Sequence, residues 1–576
     1  MKAADNKHIK LRVIIVGVLF SLFFATIGAK AVYLQIFCGP RLSQKAANQY
    51  EKSFKSSGKR GAIYDTNLTE MAVSVDVTSI AAHPEQMVDI PSTTKTIANL
   101  LKMDRGSLLR KLSSDRKFVW IKRHVAPKEA RAVRDLDCAG LAFITEHKRF
   151  YPNKTLAAPL LGFTNVDDNG LEGLEFYYDN YLKGASTYIT VLIDALGRGF
   201  NAEETQVPNY NGCNLILTID RTIQYIVEKT LEETITKFSA KSGIAIVMAP
   251  KTGALLAMTQ YPFFNPNTFS DFNRELWRNR SITDPFEPGS TMKIFSAAAA
   301  LESGTSSLNS IYYCENGTYR IGKDIIHDTH PYEWLTLEQI VKLSSNIGAV
   351  KVTEITGPER LYKTLQDFGF GAKTGIDCPG ESAGSLAPYK RWSKIDAGTI
   401  AFGQGISASA LQLTSATAAI ANDGILMKPF IVQAITDENG RLIQTFGPQK
   451  IRRAVSSATA RTITQIMRTV TKEGGTGVQA ALEGYSACGK TGTAQKIDEN
   501  GEYAKGKFIA SFVGFAPAEK PAVVILVVID EPRKEHYGGV VAAPAFREIA
   551  HKTLNYLNIP PKSKTDRLTA AIDSEA

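Results

Sequence analysis

Three short clusters in this sequence carry side chains that can do chemistry together. Ser290-Thr291-Met292-Lys293 follows Pro288-Gly289 and opens an alanine-rich helix that Gly304 should stop. A serine at a helix N-terminus meets free backbone N–H groups and the positive end of the dipole, which favour developing negative charge. Lys293, three residues on, shares its face. A hydroxyl is a weak nucleophile until a base takes its proton. A lysine can be that base when burial or a neighbouring cation lowers its pKa. Ser344-Ser345-Asn346 comes 54 residues after Ser290, at the end of the apolar-patterned LTLEQIVKL. Read as an extended tripeptide, it points Ser344 and Asn346 to one side, a hydroxyl to relay a proton and a carboxamide to hold a substrate amide. Lys490-Thr491-Gly492-Thr493 supplies two hydroxyls and a cation for a carboxylate, with Gly492 leaving room for a substrate backbone. A lone SxxK recurs by chance and reads as a plain helix start; the three motifs in this order carry the weight.

The elements that must position these groups are legible nearby. Asp220 is a good N-cap, and Ile223, Ile226, Val227, Leu231 and Ile235 recur at helical spacing, predicting a helix from Arg221 to about Phe238. Gly243 to Met248 reads as a buried strand, Pro250-Lys251-Thr252-Gly253 as a turn, and ALLAM as a second strand. Ile509 to Phe515 and Ala522 to Ile529 read as two neighbouring strands, followed by a helix from about Pro544 to Leu557. Strands at both ends of a largely helical stretch predict an α+β domain with an antiparallel sheet. No fixed-period repeat is present. Asn209-Tyr210-Asn211-Gly212 marks a domain boundary after a mixed region of residues 60–210.

At 576 residues the chain is too long for one domain. A 44% hydrophobic and 22% charged composition excludes wholesale disorder, collagen and a polytopic membrane protein. The net charge of +10 suits work near anionic lipid or an anionic polymer without demanding nucleic acid. Val13 to Ala29 is seventeen residues without a charge, and AVYLQIF resumes after Lys30. Lys2, Lys7, Lys10 and Arg12 precede it, which puts the N-terminus in the cytoplasm and the bulk of the chain outside. A cleaved signal peptide, with Ala29-Lys30-Ala31 as its cleavage site, is the weaker reading because the apolar run is too long. Cys38 lacks the small residues that precede a lipidated cysteine. The six cysteines form no CxxC pair, which disfavours a disulfide scaffold and a structural zinc site. The histidines of His327-Asp328-Thr329-His330 read as structural or solvated, Cys488 as a small packed residue, and Trp334 and Trp392 as packing.

SxxK, SxN and KTG in this order resemble the signature of penicillin-recognising serine acyltransferases. The sequence resembles a class B penicillin-binding protein, a monofunctional peptidoglycan transpeptidase, over roughly residues 10–555. Arg60-Gly61-Ala62-Ile63-Tyr64-Asp65 is similar to the box that opens the family's pedestal, although Thr66 and Leu68 stand where Arg and Gly are commoner. Arg149-Phe150-Tyr151-Pro152, Gly170-Leu171-Glu172-Gly173-Leu174-Glu175 and Gly403-Gln404-Gly405-Ile406 are also family-like. Ala72-Val73-Ser74-Val75 and the length look more like the division type than the elongation type.

The resemblance implies a cytoplasmic tail and single transmembrane helix over residues 1–40, a mixed pedestal or dimerisation-type domain over 41–212, a transpeptidase domain over 213–558, and a disordered tail over 559–576. It implies that Ser290 attacks the penultimate D-Ala carbonyl of a stem pentapeptide, with Lys293 as base, Ser344 as proton shuttle and Lys490 as electrostatic tuner. Asn346 would bind the donor peptide, Thr491 and Thr493 its carboxylate, and the N–H groups of Ser290 and Thr493 the oxyanion, with the donor adding as a strand along the Gly492 segment. β-Lactams would acylate Ser290, and no metal or organic cofactor is implied. Partners would be stem peptides, a SEDS-family glycan polymerase and other divisome membrane proteins, at the inner membrane, in septal wall synthesis and hence cell division and cell shape.

Rival readings are weaker. Gly484 to Thr491 matches GxxxxGK[ST], and VVILVVID ends in an acid, but Ala480 to Glu483 is no buried strand and GTAQKIDENGEYAKG reads as turn-like where a phosphate loop needs a helix. A D,D-carboxypeptidase or serine β-lactamase would pass the acyl group to water and is usually shorter. A glycosyltransferase domain has no room before residue 210. A β-lactam sensor or divisome scaffold with a vestigial site fits poorly with intact Ser290, Lys293, Ser344, Asn346 and Lys490.

Overall fold

The computed structural model describes residues 5–193, 199–200, 211–497 and 501–561. The chain divides into two units, residues 1–58 with 184–211, and residues 59–183 with 212–576. Asn209 and Tyr210, and the expected tail beyond residue 561, lie outside the described residues.

In the first unit a helix over Asp5–Val32 runs into a π-turn over Tyr33–Phe37. Lys30 does not end it, because the flanking apolar residues continue the helical backbone and its amine rests 5.2 Å over the Tyr33 ring. Ile9–Phe37 spans 29 residues at a mean hydropathy of 2.3, with every side chain outward. At about 1.5 Å per residue it is long and apolar enough to cross the ~30 Å hydrocarbon core. A second helix, Gly39–Tyr50, leads into strand Glu51–Ser57, which pairs antiparallel with Ser186–Ile193.

The second unit is built on a five-stranded antiparallel sheet in the order Leu255–Tyr261, Ser242–Met248, Val523–Asp530, Tyr503–Ala516, Cys488–Ile497. Val523–Asp530, at its centre, is buried on both faces and reads accordingly as a continuous apolar run. Helix Arg221–Phe238 begins where Asp220 accepts from the N–H groups of Thr222 and Ile223 at 2.8 and 3.1 Å. It packs with Ala543–Tyr556 over one face of the sheet. Helices Lys293–Glu302 and Ala410–Ala421 are buried against the other. The helix at Arg221, the strands at Ser242 and Val523 and the helix at Ala543 lie within a residue or two of their predicted places, whereas the Leu255 strand runs three residues past Met258 and the Tyr503 strand begins six residues ahead of Ile509. The stretch GTAQKIDENGEYAKG also differs from its turn-like reading. Its first part extends the edge strand to Ile497 and its end opens the next strand at Tyr503, with Gln495 opposite Phe508. Glycine and lysine favour strands poorly, but ladder pairing with a central neighbour overrides that preference.

Upstream, a seven-stranded sheet runs Leu442–Thr445, Val432–Thr436, Asn214–Leu217, Ile63–Tyr64, Glu70–Ala82, Val119–Val125, with Leu141–Phe150 also on Glu70–Ala82. Ile63–Tyr64 pairs parallel with Asn214–Leu217, so one ladder ties the segment after Lys59 to the strand that precedes helix Arg221–Phe238. Three of the boxes noted in the sequence meet there. Arg60 Nε lies 2.6 Å from Glu175 Oε2, and Arg149 Nε 2.6 Å from Glu175 Oε1. Arg60 also reaches Asp179 at 2.6 Å, and Tyr151 donates to Glu175 at 3.2 Å. Glu175 is fully buried; the two guanidiniums hold its carboxyl below the usual range against the opposing effect of burial. Leu68 adopts φ +61°, with its side chain in solvent. A left-handed turn position explains why glycine suits that place better.

Candidate active site

Ser290 sits on one 3-10 turn, Gly289–Met292, that runs into helix Lys293–Glu302; Gly304 follows with φ +69°. The approach to the turn is tightly held. Gly289 takes φ +57° and donates to Gly403 O at 3.1 Å, and a Cβ on Gly403 would lie 2.1 Å from Gly289 O. This accounts for Gly403, while Gly405 takes φ +76°. Thr291 Oγ1 donates to Pro288 O at 2.8 Å, closing the turn.

The Lys293 amine is buried beneath Ser290. Its Nζ lies 3.1 Å from Ser290 Oγ, 2.5 Å from Ser344 O, 3.2 Å from Ser344 Oγ and 2.7 Å from Asn346 Oδ1. Burial pushes its pKa down to about 7, with Asp328 partly opposing. Lys490 is equally buried, with Nζ 3.0 Å from Ser344 Oγ and 3.1 Å from Thr491 O. Burial and the neighbouring Lys293 both push it well below an ordinary lysine. Ser344 Oγ therefore stands between two amines that burial keeps from both being charged.

Ser344 is not part of an extended tripeptide, as the sequence reading had it. It takes φ +64°, ψ +37°, the left-handed cap of helix Leu337–Leu343, and Ser345 is the N-cap of the next helix, Asn346–Thr356. The left-handed turn, not strand alternation, brings both Ser344 and Asn346 to Lys293. Sequence reasoning missed the residue that builds this turn. Asp328 accepts from Ser345 Oγ at 2.5 Å and from the N–H groups of Asn346 and Ile347. Asn346 Nδ2 donates to His327 O at 3.0 Å, which turns its Oδ1 toward Lys293. Asp328 lies inside the His327–His330 cluster, and only its acidity, ahead of a helix start 18 residues on, could have marked it.

Lys490 to Thr493 lie on the edge strand Cys488–Ile497, with Lys490 opposite Val513 and one edge of the strand unpaired among the described residues. Gly492 does not make room for substrate. A Cβ there would meet Ser511 Oγ at 2.2 Å, Pro288 O at 3.0 Å and Thr291 Cγ2 at 3.0 Å. It is the close approach between strand and serine turn that needs glycine. Thr491 Oγ1 is buried, bonded to Thr476 Oγ1 at 3.0 Å and to Lys490 Nζ at 3.2 Å. Thr493 is part-exposed; its Oγ1 accepts from Gly538 N–H at 3.1 Å, which leaves its own proton to donate. Cys488 is buried, as expected, with Sγ 3.3 Å from Thr464 O. Trp334 differs from expectation: it is 62% exposed, one ring against Tyr313, because its strand belongs to a two-stranded ribbon with nothing over it among the described residues. The phosphate-loop reading fails on this geometry, since strand, not helix, follows Gly489.

A part-exposed serine over a buried lysine, joined by a serine–asparagine turn and an edge-strand lysine on an α+β scaffold, defines a class of acyl-transfer enzyme. Residues 243–551 match the Penicillin binding protein transpeptidase domain and residues 55–217 the Penicillin-binding Protein dimerisation domain, and the chain belongs to the class B penicillin-binding protein family. It is 35% identical to the Probable peptidoglycan D,D-transpeptidase PenA of Neisseria meningitidis, over 97% of this chain and 94% of that one. It is 33% identical to the Peptidoglycan D,D-transpeptidase FtsI of Escherichia coli K12, over 94% and 91%. Among solved structures, Penicillin binding protein 3 of Mycobacterium tuberculosis in complex with ampicillin superposes with a TM-score of 0.70 at 28% identity, covering 89% of this chain and 98% of that one.

Proposed function

We propose that the chain is a peptidoglycan D,D-transpeptidase that crosslinks stem peptides through an ester on Ser290, held to a membrane by its N-terminal helix. The observation that carries the reading is the 3.1 Å contact between Ser290 Oγ and an amine whose burial leaves it substantially neutral near pH 7. Neutral Lys293 takes the Ser290 proton as Oγ attacks the carbonyl of the penultimate D-Ala. The N–H groups of Ser290 and Thr493 receive the oxyanion. The amide bond breaks, and the terminal D-Ala leaves as an amine after a proton passes from Lys293 through Ser344. Lys490, 3.0 Å from Ser344 Oγ, tunes that relay. Asn346 orients the donor and Thr493 holds its carboxylate; Thr491, expected to share that role, has a buried hydroxyl bonded to Thr476 and Lys490 and braces the strand instead. An acceptor amine then attacks the ester, gives up its proton and frees Ser290.

The uncharged run that starts at Val13 within the Ile9–Phe37 helix, behind basic Lys10 and Arg12, supports a cytoplasmic N-terminus and an extracytoplasmic catalytic domain at the inner membrane. The resemblance to division-type enzymes supports a septal role beside a SEDS-family polymerase. The domain limits 41–212 and 213–558 are proposed on the same footing. The test is intact-mass spectrometry of the detergent-solubilised chain with benzylpenicillin, beside Ser290→Ala. One stable adduct, lost in the variant, is expected. No adduct on folded protein overturns the acyl-enzyme, and an adduct that hydrolyses quickly turns the reading toward a carboxypeptidase or β-lactamase.

A further inference from the structure

The four residues leading into Ser290 are Phe286-Glu287-Pro288-Gly289. Their backbone is laced to the loop 403–408. Phe286 and Ala408 exchange two hydrogen bonds at 3.0 Å, and Gly289 donates to Gly403 O at 3.1 Å. Between these anchors, Gly405 N–H donates to Glu287 Oε1 at 2.8 Å. From the other side, Tyr503 O–H donates to Glu287 Oε2 at 3.1 Å. Tyr503 opens the strand beside the edge strand and stands opposite Ile497, the last residue of that edge. One carboxylate thus joins the serine turn, the glycine loop and the outer end of the strand that carries Lys490 and Thr493. Burial pushes this carboxyl up, and only those two hydrogen bonds oppose it. Keeping a half-buried carboxylate with no cation beside it among the described residues costs stability, so its place calls for another reason.

That reason lies in the groove. An extended donor adding to the open edge would run past Thr493 toward Ile497, about 13 Å further at ~3.3 Å per residue. A compact bicyclic β-lactam meets only the inner part, around Ser290 and Thr493. We propose that Glu287 is a positioning residue: through Tyr503 it holds the outer end of the edge strand at a fixed distance from the serine turn, and so governs turnover of an extended peptide donor more than acylation by a β-lactam. The proposal rests on the serine acyl-enzyme reading above.

The test uses the full-length chain in detergent with two ligands, a thioester analogue of a stem peptide and benzylpenicillin. Tyr503→Phe and Glu287→Ala should each lower kcat/KM for the thioester about fivefold, the worth of one net hydrogen bond. The double variant should be no worse than Glu287→Ala, because that variant already removes the Tyr503 hydrogen bond together with the Gly405 one. Glu287→Gln, whose amide oxygen still accepts, should recover most of the loss. The benzylpenicillin acylation constant should stay within about twofold of wild type, well below the effect of one hydrogen bond. Equal losses on both ligands would mean that Ser290 itself has moved, and would overturn the proposal. So would additive losses, or none. A wild-type chain without a penicillin adduct would instead remove the acyl-enzyme reading, and this inference with it.

Discussion

Lys490 Nζ donates to Ser344 Oγ at 3.0 Å across 146 residues of sequence, and the same hydroxyl lies 3.2 Å from Lys293 Nζ. Two amines this close, both buried, cannot both hold a proton cheaply. Lys293 is the one whose neutral form has work to do at Ser290. The acylation constant for benzylpenicillin should therefore be low where Lys293 is protonated, rise with pH through about 7, and level off above it. Burial and Asp328, not Lys490, set the Lys293 pKa, so Lys490→Gln should slow acylation while leaving that rising limb near pH 7. Stopped-flow acylation between pH 5.5 and 9 would check it; a limb that moves to higher pH would show that a charged Lys490 helps to keep Lys293 neutral.

Asp328 supports the site from behind. Its carboxylate accepts from one hydroxyl and two backbone N–H groups at the start of helix Asn346–Thr356, and its charge holds the Lys293 pKa up against burial. Asp328→Asn should have two separable effects. Stability should fall by about 1–2 kcal/mol, the range for a lost cap. The acidic limb of the acylation profile should move to lower pH, because the opposing charge is gone. Thermal unfolding and the pH profile would read these independently, and a profile that moves upward would contradict the assigned role.

Gly492 is required by packing against Pro288 and Thr291, and by Ser511 beneath it. Gly492→Ala should push the edge strand away from the serine turn and cut acylation at least tenfold, equivalent to about 1.4 kcal/mol. Ser511→Ala removes the atom that a new Cβ would strike at 2.2 Å and should restore part of the rate in the double variant. If Gly492→Ala acylates normally but binds peptide donors poorly, the glycine serves substrate after all.

That glycine illustrates what the sequence could and could not yield. The residues that touch each other at the site, Ser290, Lys293, Ser344, Asn346 and Lys490, were all legible, because each motif sets its own chemistry within four residues. The helix at Arg221 and the central strands were legible from Asp220 and from apolar periodicity. What was not legible depends on partners far away in the chain. Ser344 reads as extended until Asp328 is seen to cap the following helix, and Gly492 reads as a substrate contact until Pro288 packs on it. GTAQKI reads as a turn until Tyr503–Ala516 supplies a ladder. Arg60, Arg149 and Glu175 are separate boxes in sequence, 115 and 26 residues apart as pairs, and become one buried ion cluster only in the fold.

Glu228 offers a stability test remote from the chemistry. It lies on helix Arg221–Phe238 and accepts from Ala157 N–H at 2.8 Å and from Gln224 Nε2 at 2.9 Å, joining the pedestal to the catalytic region. Burial raises its carboxyl from an ordinary 4.5 to about 7, against those hydrogen bonds. Because the folded pKa is raised, the protonated form is favoured by folding. Its contribution is full below about pH 4.5 and is lost as pH rises through about 7. The ionised form then costs up to about 3 kcal/mol. Glu228→Gln keeps an accepting oxygen and carries no charge. The stability of this variant relative to wild type should therefore grow by about 2–3 kcal/mol between pH 5 and pH 8. Denaturant unfolding at the two pH values would measure it. A difference that stays constant with pH would mean that Glu228 is ionised in the folded protein throughout.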